Sequence, residues 1–297
     1  MEKEIVYSII IPHKDIPQLL QRCLDSIPER EDVQVIVVDD NSSPEVVDFS
    51  SFPGCDRPDV EVFFTKEGKG AGYARNCGLE YARGKWILFA DADDFFRQGF
   101  LDVLDGYAYK DYDMVIFRAD SVDSETLLPV SPRQGCYADL SENADLDKLK
   151  FSNVVPWGKL ISHQLIQKYH IRFDETPAAN DVLFSGYLDY HAQKVAASSG
   201  VIYCATLRKG SLEYGAVLGN LLARVDVACR YNRFLYRIGR KDKFSYSYFR
   251  VKQCEKFFGR PGYYKALWIY IRKERVGNIY KTFRDLITDK IRRLFKL

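Results

Sequence analysis

The sequence lacks the features that mark membrane-spanning and secreted proteins. Its longest apolar runs are far shorter than the roughly 20 residues that cross a bilayer. The charged start Met1–Glu4 is followed by too short an apolar run for a signal peptide, so we expect no export. The seven cysteines are scattered without a CxxC pair, which indicates reduced thiols used in packing in a cytosolic protein.

The motifs of several enzyme classes are also missing. There is no GxxxxGK[ST], and Gly68, Gly70 and Gly72 do not have GxGxxG spacing, which disfavours a P-loop NTPase and a dinucleotide-binding Rossmann enzyme. The four histidines are scattered without HExxH spacing, which disfavours a zinc site. The absence of GxSxG disfavours a serine hydrolase.

The charge that is present is unevenly distributed. Residues 212–297 carry 21 Lys and Arg against 7 Asp and Glu, whereas residues 1–211 carry 22 against 34. A difference of this size indicates two parts with different partners. We expect one domain at 1–211 and a basic, aromatic, helical region at 212–297, with the boundary near Gly210.

Apolar strands alternate with amphipathic helices in the first part. The first strand is predicted from Ile5 and stops at Pro12, because proline cannot donate to a central ladder. Residues 119–153 are expected to be irregular. The alternation predicts a mostly parallel, doubly wound α/β sheet whose ligands bind beyond the carboxyl ends of the strands. The other predicted strands are 33–38, 60–64, 86–90, 113–118 and 201–207, and the predicted helices are 16–27, 71–83 and 182–190.

Carboxylates follow two of these strands. Asp91, Asp93 and Asp94 come directly after a buried strand, and Asp39 and Asp40 end an earlier one. Residues two apart in an extended segment point to the same side, so Asp91 and Asp93 converge on one point. Crowded carboxylates repel one another unless a divalent cation or a solvated loop relieves them. A metal site and a plain acidic loop both fit this pattern.

Two residues further along the chain have two interpretations each. Asp181 lies at the start of a predicted amphipathic helix, where an aspartate is either an N-terminal cap or a catalytic group. Trp157 follows Pro156 at the start of an ordered region, and we expect it to pack in the interior, with stacking on a sugar as the alternative.

Taken in order, these motifs resemble the inverting glycosyltransferases of family 2, of the bacterial surface-polysaccharide type. The resemblance covers roughly residues 5–212. Each motif alone is weak, but their order and spacing together are specific. The motifs are the first strand ending in Pro12, Asp39-Asp40-Asn41-Ser42, Gly72-Tyr-Ala-Arg75-Asn76, Gly84-Lys-Trp-Ile-Leu-Phe-Ala-Asp91-Ala-Asp93-Asp94, Trp157-Gly-Lys159-Leu160, Ile171-Arg-Phe-Asp-Glu175 and Asn180-Asp181-Val-Leu-Phe184.

The resemblance implies a GT-A fold, which is a Rossmann-like, mostly parallel sheet with helices on both faces, followed here by a helical segment. The nucleotide-sugar half is expected at about 1–118 and the acceptor half at about 119–211. The implied donor is a nucleotide diphosphate sugar, most often a UDP-sugar, and the implied cofactor is Mn²⁺ or Mg²⁺. The implied enzyme is a hexosyl- or N-acetylhexosaminyltransferase that acts on a hydroxyl of a glycan or lipid-linked acceptor, in polysaccharide biosynthesis.

The same resemblance implies a role for each matching residue. Asp93 corresponds to the direct metal ligand, Asp91 to a residue facing the ribose or a metal-bound water, and Asp181 to the general base. Asn180 departs from the glutamate usual before that base, and Lys14 and Asp15 depart from the usual Tyr and Asn. The donor-binding positions are Pro12 with its neighbour His13, Asp39, Asp40, Arg75, Asp91 and Arg208.

The basic C-terminal region has its own pattern. An apolar stripe recurs every three or four residues from Val276 to Phe295, with basic residues mostly off it. Such a helix fits an anionic membrane surface, so we expect peripheral membrane contact through residues 265–297 at the cytoplasmic face. Packing of the stripe against the catalytic domain or a partner subunit is the alternative. Nucleic-acid binding is not expected, because no motif for it accompanies the charge.

Two other functions stay open on the sequence alone. A nucleotidyltransferase also uses carboxylate-held metal, although its usual glycine-rich loop after the first strand is missing. A non-catalytic domain would bind a nucleotide sugar or a glycan without turnover. The joint presence of Asp91, Asp93 and Asp181 argues against that alternative.

Overall fold

The structure is a computed structural model, and it describes residues 4–132, 137, 140–151, 154–208 and 216–284. The chain divides into two compact units, Met1–Thr176 with Asn180–Ser211 and Pro177–Ala179 with Leu212–Leu297. Each unit has a hydrophobic core of its own. The predicted boundary residue Gly210 lies outside the described residues.

The first unit is built on a mixed sheet of eight strands. They are Tyr7–His13 (β1), Val33–Asp40 (β2), Val60–Thr65 (β3), Trp86–Phe89 (β4), Phe95–Phe96 (β5), Met114–Asp123 (β6), Lys159–Ser162 (β7) and Val195–Leu207 (β8). Their order in the described sheet is β3-β2-β1-β4-β7-β6-β8-β5. Four neighbouring pairs are parallel, and the pairs β4–β7, β6–β7 and β5–β8 are antiparallel.

Helices connect and cover these strands. The described helices of the first unit are Pro17–Asp25 (α1), Ala71–Tyr81 (α2), Phe100–Ala108 (α3), Leu146–Leu149 (α4), His163–Lys168 (α5) and Val182–His191 (α6), with a short 3₁₀ turn at Phe49–Ser51. The strands β1, β2 and β4 are buried along their whole length, as the centre of a helix-covered sheet requires. The predicted α/β fold with a mostly parallel sheet is confirmed, with four of the seven described strand pairs parallel and the sheet therefore mixed.

The first strand continues through the proline at which it was predicted to stop. Pro12 pairs in register with Val38 of β2, and the strand ends at His13. The carbonyl of Ile10 accepts the N–H of Ala90, which follows β4. Backbone groups of residues two apart in a strand point to the same side, so those of Pro12 also face the β4 side. The register with β4 already ends at Phe89. The missing N–H of Pro12 therefore interrupts no ladder.

The segment 119–153 is more regular than predicted. The strand predicted at 113–118 continues to Asp123, because β8 begins at Val195, six residues before the predicted 201, and pairs alongside it. The register between β6 and β8 shifts around Arg118. Such an irregularity interrupts the alternation of apolar and polar residues on which the prediction of a strand depends. The short strands β5 and β7 were also missed, since β5 has only two residues and β7 has a lysine and a serine around two apolar residues, so neither forms an apolar run like that of β4.

The second unit is helical in its described part. Its helices are Leu218–Arg237 (α7) and Tyr248–Lys273 (α8), with a 3₁₀ turn at Lys241–Lys243 and a further helical segment at 276–284. The core between α7 and α8 includes Leu221, Val225, Cys254 and Tyr270. A glycine with positive φ, Gly259, breaks α8 into two stretches. None of the described helices combines the length and the apolar character needed to span a membrane.

The six described cysteines are all free thiols. Four of them are buried and fit the predicted packing role, namely Cys23, Cys204, Cys229 and Cys254. The prediction is wrong for Cys55, which is exposed. The seventh, Cys136, lies outside the described residues.

Candidate active site

The carboxyl ends of β1, β2 and β4 meet at one edge of the sheet. His13 lies opposite Asp39 in the register of β1 and β2, and β4 ends two residues before Asp91. Parallel strands bring their carboxyl ends to the same edge, so the polar residues after them become neighbours. The candidate site is built on this edge.

Asp39 connects the end of β2 to His13 and Ser42 through hydrogen bonds. Its Oδ1 accepts hydrogen bonds from Nδ1 of His13 at 2.8 Å and from the hydroxyl of Ser42 at 2.5 Å, and its Oδ2 accepts the N–H of Ser42 at 2.9 Å. Burial acts to raise the pKa of this carboxyl, but the hydrogen bonds from His13 and Ser42 outweigh it, so the pKa is lowered. Asp39 is ionised and both its oxygens are occupied.

Asp40 is buried as well, but it is less completely bonded. Its Oδ2 accepts the N–H of Gly70 at 2.8 Å and lies 3.8 Å from Nζ of Lys14. Its Oδ1 is buried and has no hydrogen-bond partner among the described residues. Burial raises the pKa of Asp40. Because an unmet buried acceptor costs about 1–3 kcal/mol, this oxygen is suited to a donor group of a ligand.

Three carboxylates come together after β4. Oxygen atoms of Asp91, Asp93 and Asp94 all lie within 4.8 Å of one another. The side chains of Asp91 and Asp93 are 24% and 19% exposed, whereas Asp94 is fully buried. The structure thus brings together the two carboxylates that the sequence pattern pairs, and it adds a third.

Asp94 fastens this cluster to β8. Its Oδ2 accepts the hydroxyl of Tyr203 at 2.8 Å, and its Oδ1 accepts the N–H of Thr206 at 2.6 Å. The Tyr203 hydroxyl accepts the N–H of Asp91 at 2.9 Å, and the Thr206 hydroxyl donates to the carbonyl of Asp93 at 2.7 Å. Burial raises the pKa of Tyr203 well above its usual range, so its hydroxyl stays a donor. These bonds fix the backbone from which Asp91 and Asp93 project.

Arginines hold the two more exposed carboxylates. Nη2 of Arg75 lies 2.5 Å from Oδ1 of Asp91, and Nε of Arg208 lies 3.2 Å from Oδ2 of Asp93. Arg22 on α1 donates to the carbonyl of Asp93 at 2.6 Å. Within the described part of the chain, no hydrogen bond reaches the second oxygen of Asp91 or of Asp93. One oxygen of each carboxylate is therefore left for a ligand.

Arg75 links this cluster to the segment that precedes α6. Its Nη1 donates to Oδ1 of Asn180 at 2.9 Å, while its Nη2 bonds Asp91. The guanidinium also lies over the ring of Phe173, 5.3 Å from the centroid. Asn180 stands where the resemblance leads one to expect a glutamate, and its amide oxygen supplies an acceptor for the arginine. One buried side chain thus joins Asp91 to the neighbour of Asp181.

The motif around Arg75 has a local structural reason. A Cβ at position 72 would lie 2.0 Å from the carbonyl oxygen of Asp174, so only glycine allows α2 to approach that segment. The amide of Asn76 donates to the carbonyl of Phe173 at 3.0 Å and accepts its N–H at 2.8 Å. Gly72 and Asn76 therefore clamp α2 to residues 173–174, and Arg75 projects from the clamped helix.

Asp181 occupies the N-cap position of α6, but its side chain makes no capping hydrogen bond. It is partly buried, and desolvation raises its pKa, with the positive charges of Arg75 and Lys159 acting in the opposite direction. No other described residue donates a hydrogen bond to its carboxylate. The capping interpretation is wrong, because the carboxylate is left free.

The remaining predicted positions support the strand ends. Pro12 and His13 are both buried, and Nε2 of His13 accepts the N–H of Ile16 at 3.2 Å, so both ring nitrogens of His13 are used within the protein. The direct donor contact of these two residues stays a prediction. Trp157 is 2% exposed and stacks on Tyr203 with ring centroids 5.3 Å apart, so it packs in the interior as expected.

Three residues of the site carry no sequence signal. Arg22, Tyr203 and Thr206 position the acidic loop through its backbone or through Asp94. Tyr203 lies in an apolar strand and Arg22 on an amphipathic helix, where each is an ordinary residue of its element. Only the fold reveals their contacts with the acidic loop.

The donor atoms of the cluster fit a hard divalent cation. Mg²⁺ and Mn²⁺ prefer oxygen ligands and often use one or two carboxylates, with water and phosphate as the other ligands. Asp91 and Asp93 provide such a pair of carboxylates, each with one oxygen that no described residue bonds. Among the described residues, Asp91, Asp93 and Asp94 form the one group of three or more His, Cys, Asp or Glu residues close enough to share an ion.

Comparison with known proteins agrees with this geometry. The sequence profile of glycosyl transferase family 2 matches residues 8–169, which is more than half of the chain. The chain therefore belongs to glycosyl transferase family 2. Its fold is GT-A, followed by C-terminal helices: it resembles a crystal structure of S. aureus TarS 1-349 in complex with UDP-GlcNAc at a TM-score of 0.70 and 19% identity, covering 91% of this chain and 82% of that one.

Two curated relatives come from Streptococcus pneumoniae. Glycosyltransferase GlyA is 25% identical over 227 residues, which cover 69% of this chain and 31% of GlyA. Glycosyltransferase GlyG is 27% identical over 188 residues, which cover 57% of this chain and 62% of GlyG. The matches thus span about a third of one relative and less than two thirds of the other.

Proposed function

We propose that this protein is a metal-dependent inverting glycosyltransferase that moves a sugar from a UDP-sugar to a hydroxyl of a glycan or lipid-linked acceptor. The observation that carries the proposal is the bridge from Asp91 through Arg75 to Asn180, because Asn180 immediately precedes Asp181 in the chain. We assign the catalytic domain to 1–211, with the nucleotide-sugar half at about 1–118 and the acceptor half at about 119–211.

The donor binds along the edge formed by β1, β2 and β4. The unmet oxygen of Asp40 accepts a donor group of the nucleotide, and Asp39 with Pro12 and His13 forms the floor beside it. Asp93, assisted by Asp91, would hold Mn²⁺ or Mg²⁺, and the cation would supply positive charge to balance the leaving diphosphate. TarS in complex with UDP-GlcNAc supports a UDP-sugar as the donor.

Asp181 removes the proton from the acceptor hydroxyl as that hydroxyl attacks the sugar. A general base contributes about 10²–10⁴-fold to such a step and works best with a pKa nearer to neutrality. Desolvation raises the pKa of Asp181, which favours this role. Attack from the side opposite to the diphosphate inverts the sugar carbon in one displacement, so no carboxylate nucleophile is needed.

The arginines complete the charge balance of the site. Arg75 and Arg208 pair with Asp91 and Asp93 in the structure described here. A diphosphate placed at the same edge offers both guanidinium groups a second anionic partner, and arginine suits phosphate oxygens by its forked geometry. Arg208 is 30% exposed, so it is accessible to the donor or to the acceptor.

The proposed lipid-linked acceptor would be held in a membrane, so membrane contact is part of the proposed function. We assign the protein to the cytoplasmic face, with peripheral contact through the C-terminal region that includes residues 265–297. The net positive charge of residues 212–297, with 21 Lys and Arg against 7 Asp and Glu, supports attraction to anionic lipids. A lipid-linked acceptor would be presented at the same surface.

The test is release of UDP from a panel of UDP-sugars, measured with Mn²⁺, with Mg²⁺ and with a chelator. We expect one donor to be turned over in a metal-dependent way, with the chelator abolishing release and added Mn²⁺ restoring it. Release that a chelator does not affect would contradict the metal requirement. A panel in which neither UDP nor any UDP-sugar binds would contradict the assignment of the donor.

A further inference from the structure

The second stretch of α8 carries an exposed apolar face. Tyr264, Trp268 and Ile271 are 61%, 60% and 50% exposed, and their spacing of four and three residues places them on one side of the helix. The opposite side is apolar too, because Ala266 and Tyr270 are buried in the core of the second unit. A helix that is apolar on two sides has a second partner to bind. We call Tyr264, Trp268 and Ile271 the α8 face.

Only cations flank this face. Between Glu255 and Glu274 the sequence contains no Asp or Glu. The guanidinium of Arg272 lies 4.6 Å from the ring centroid of Trp268, so this cation stacks on an exposed aromatic ring of the α8 face. The cations of this stretch are Lys256, Arg260, Lys265, Arg272 and Lys273.

The apolar stripe predicted from Val276 to Phe295 differs from the α8 face, because part of it packs inside the second unit. Ile279 packs against the core of the second unit, and the ring of Phe283 lies 6.4 Å from that of Tyr248. Val276 and Tyr280 are exposed, at 82% and 70%. The described part of the stripe therefore includes residues that pack within its own unit. The members beyond residue 284 lie outside the described residues.

We propose that the α8 face lies in the headgroup region of an anionic lipid bilayer, with α8 parallel to the membrane plane. Tryptophan and tyrosine favour this region, and flanking lysines and arginines reach the lipid phosphates. Nζ of Lys273 lies 3.5 Å from Oδ1 of Asp226, and no ion pair joins the other four cations to a carboxylate among the described residues, so their like charges oppose pairing with a second copy of the same helix. Ile271 offers nothing to a nucleic acid but gains from burial in lipid. The inference rests on the proposed membrane contact, and it is independent of sugar transfer.

The chain contains its own reporter of this contact. Of its three tryptophans, Trp86 and Trp157 are 1% and 2% exposed, so a change in emission on addition of vesicles reports on Trp268. We expect a blue shift with vesicles of phosphatidylglycerol and phosphatidylcholine, and none with phosphatidylcholine alone. Lipids brominated in their acyl chains should quench the shifted emission. The full-length chain is used throughout.

Substitution tests the same face by flotation with the anionic vesicles. The triple variant Tyr264→Ser, Trp268→Ser, Ile271→Ser should bind at least about tenfold more weakly, since it loses its buried apolar area. These side chains are exposed, so the variant should keep the helical circular dichroism of the native chain. Tyr109→Ser, at an 83% exposed tyrosine of the first unit, is the matched control and should bind like the native chain.

The outcomes separate this inference from the proposals on which it stands. Native-like flotation of the triple variant would overturn the α8 face while leaving membrane contact through other residues. Absence of flotation by the native chain would overturn both. A blue shift of the Trp268 emission that needs no vesicles and grows with protein concentration would indicate self-association in place of lipid binding. Binding to RNA without binding to vesicles would indicate a nucleic acid in place of lipid. None of these results depends on UDP release.

Discussion

The ends of β2 and β4 use their carboxylates in parallel ways, but with different charge partners. At each end one aspartate, Asp39 or Asp94, has both oxygens bonded by the protein. Its neighbours, Asp40 at one end and Asp91 and Asp93 at the other, each keep an oxygen without a donor from the described residues. In both places one carboxylate fixes the backbone and its neighbours remain available.

The difference lies in solvent and charge. Asp40 is buried, its nearest cation is 3.8 Å away, and burial raises its pKa, which suits a hydrogen bond from a neutral donor. Asp91 and Asp93 are partly exposed, are each paired with an arginine and lie in a cluster of carboxylates, which suits a cation. Two strand ends on either side of β1 therefore offer two kinds of ligand contact.

The largest expected effect sharpens the contrast within the β4 end. Asp93→Ala should lower UDP release by about a thousandfold or more, because a metal ligand is lost and metal stabilisation of the leaving group is worth several kcal/mol. Its thermal unfolding midpoint should stay close to that of the native chain, since Asp93 is partly exposed. Release assays and calorimetry of UDP binding with Mn²⁺ measure the two properties.

Asp94→Asn is the matched control for that variant. It should lower the free energy of unfolding by about 1–3 kcal/mol, because the bonds from Tyr203 and Thr206 lose their charged acceptor. If Asp94→Asn kept its stability and lost only metal-dependent UDP binding, then Asp94 would be a ligand. The division between structural and available carboxylates would then break down at β4.

A smaller effect is expected at the free carboxylate of Asp181. Asp181→Asn should lower sugar transfer by about 10²–10⁴-fold while leaving UDP binding with Mn²⁺ close to native, because the amide cannot accept the proton of the acceptor. Initial rates of transfer and calorimetry of UDP binding measure the two properties. Loss of UDP binding together with transfer would show that Asp181 serves the donor, against the division of roles proposed here.

Much of this arrangement could be predicted from local patterns. A strand followed by carboxylates, such as Trp86–Phe89 before Asp91, can be recognised from fewer than about ten consecutive residues. The order of such motifs along the chain then identifies the family. Parallel topology then brings the strand ends together without any knowledge of side-chain contacts. Asp181 precedes a helix and not a strand end, so only the order of the motifs points to it, and its role stays a prediction.

What could not be predicted depends on partners distant in sequence. Asp93 and Asp94 are adjacent and alike, and only the contacts of Asp94 with Tyr203 and Thr206, more than a hundred residues away, separate their roles. The same limit applies to Asn180, whose bond to Arg75 joins residues 105 positions apart. The full length of β6 was missed because β8 pairs with it across a slip in register.

The smallest expected effect compares Asp39 and Asp40 through the pH dependence of stability. The pKa of Asp39 is lowered on folding, so its ionised form stabilises the folded chain above the unfolded pKa of about 3.9, and this contribution is lost as the pH falls through the folded pKa. The pKa of Asp40 is raised, so its ionisation destabilises the folded chain at neutral pH. That penalty is relieved as the pH falls through the raised pKa.

The two substitutions should therefore have opposite signs at pH 7. Asp39→Asn should lower the free energy of unfolding by about 1–3 kcal/mol, and Asp40→Asn should raise it by up to about 1 kcal/mol. The difference for Asp40→Asn should shrink as the pH falls toward about 4, whereas the difference for Asp39→Asn should persist to about pH 4 and shrink only below it. Urea unfolding at several pH values measures them. Asp40→Asn should also bind UDP more weakly, since its free oxygen is proposed to serve the donor. Stabilisation by both substitutions at pH 7 would mean that burial governs both carboxylates of β2, and destabilisation by both would mean that hydrogen bonding governs both.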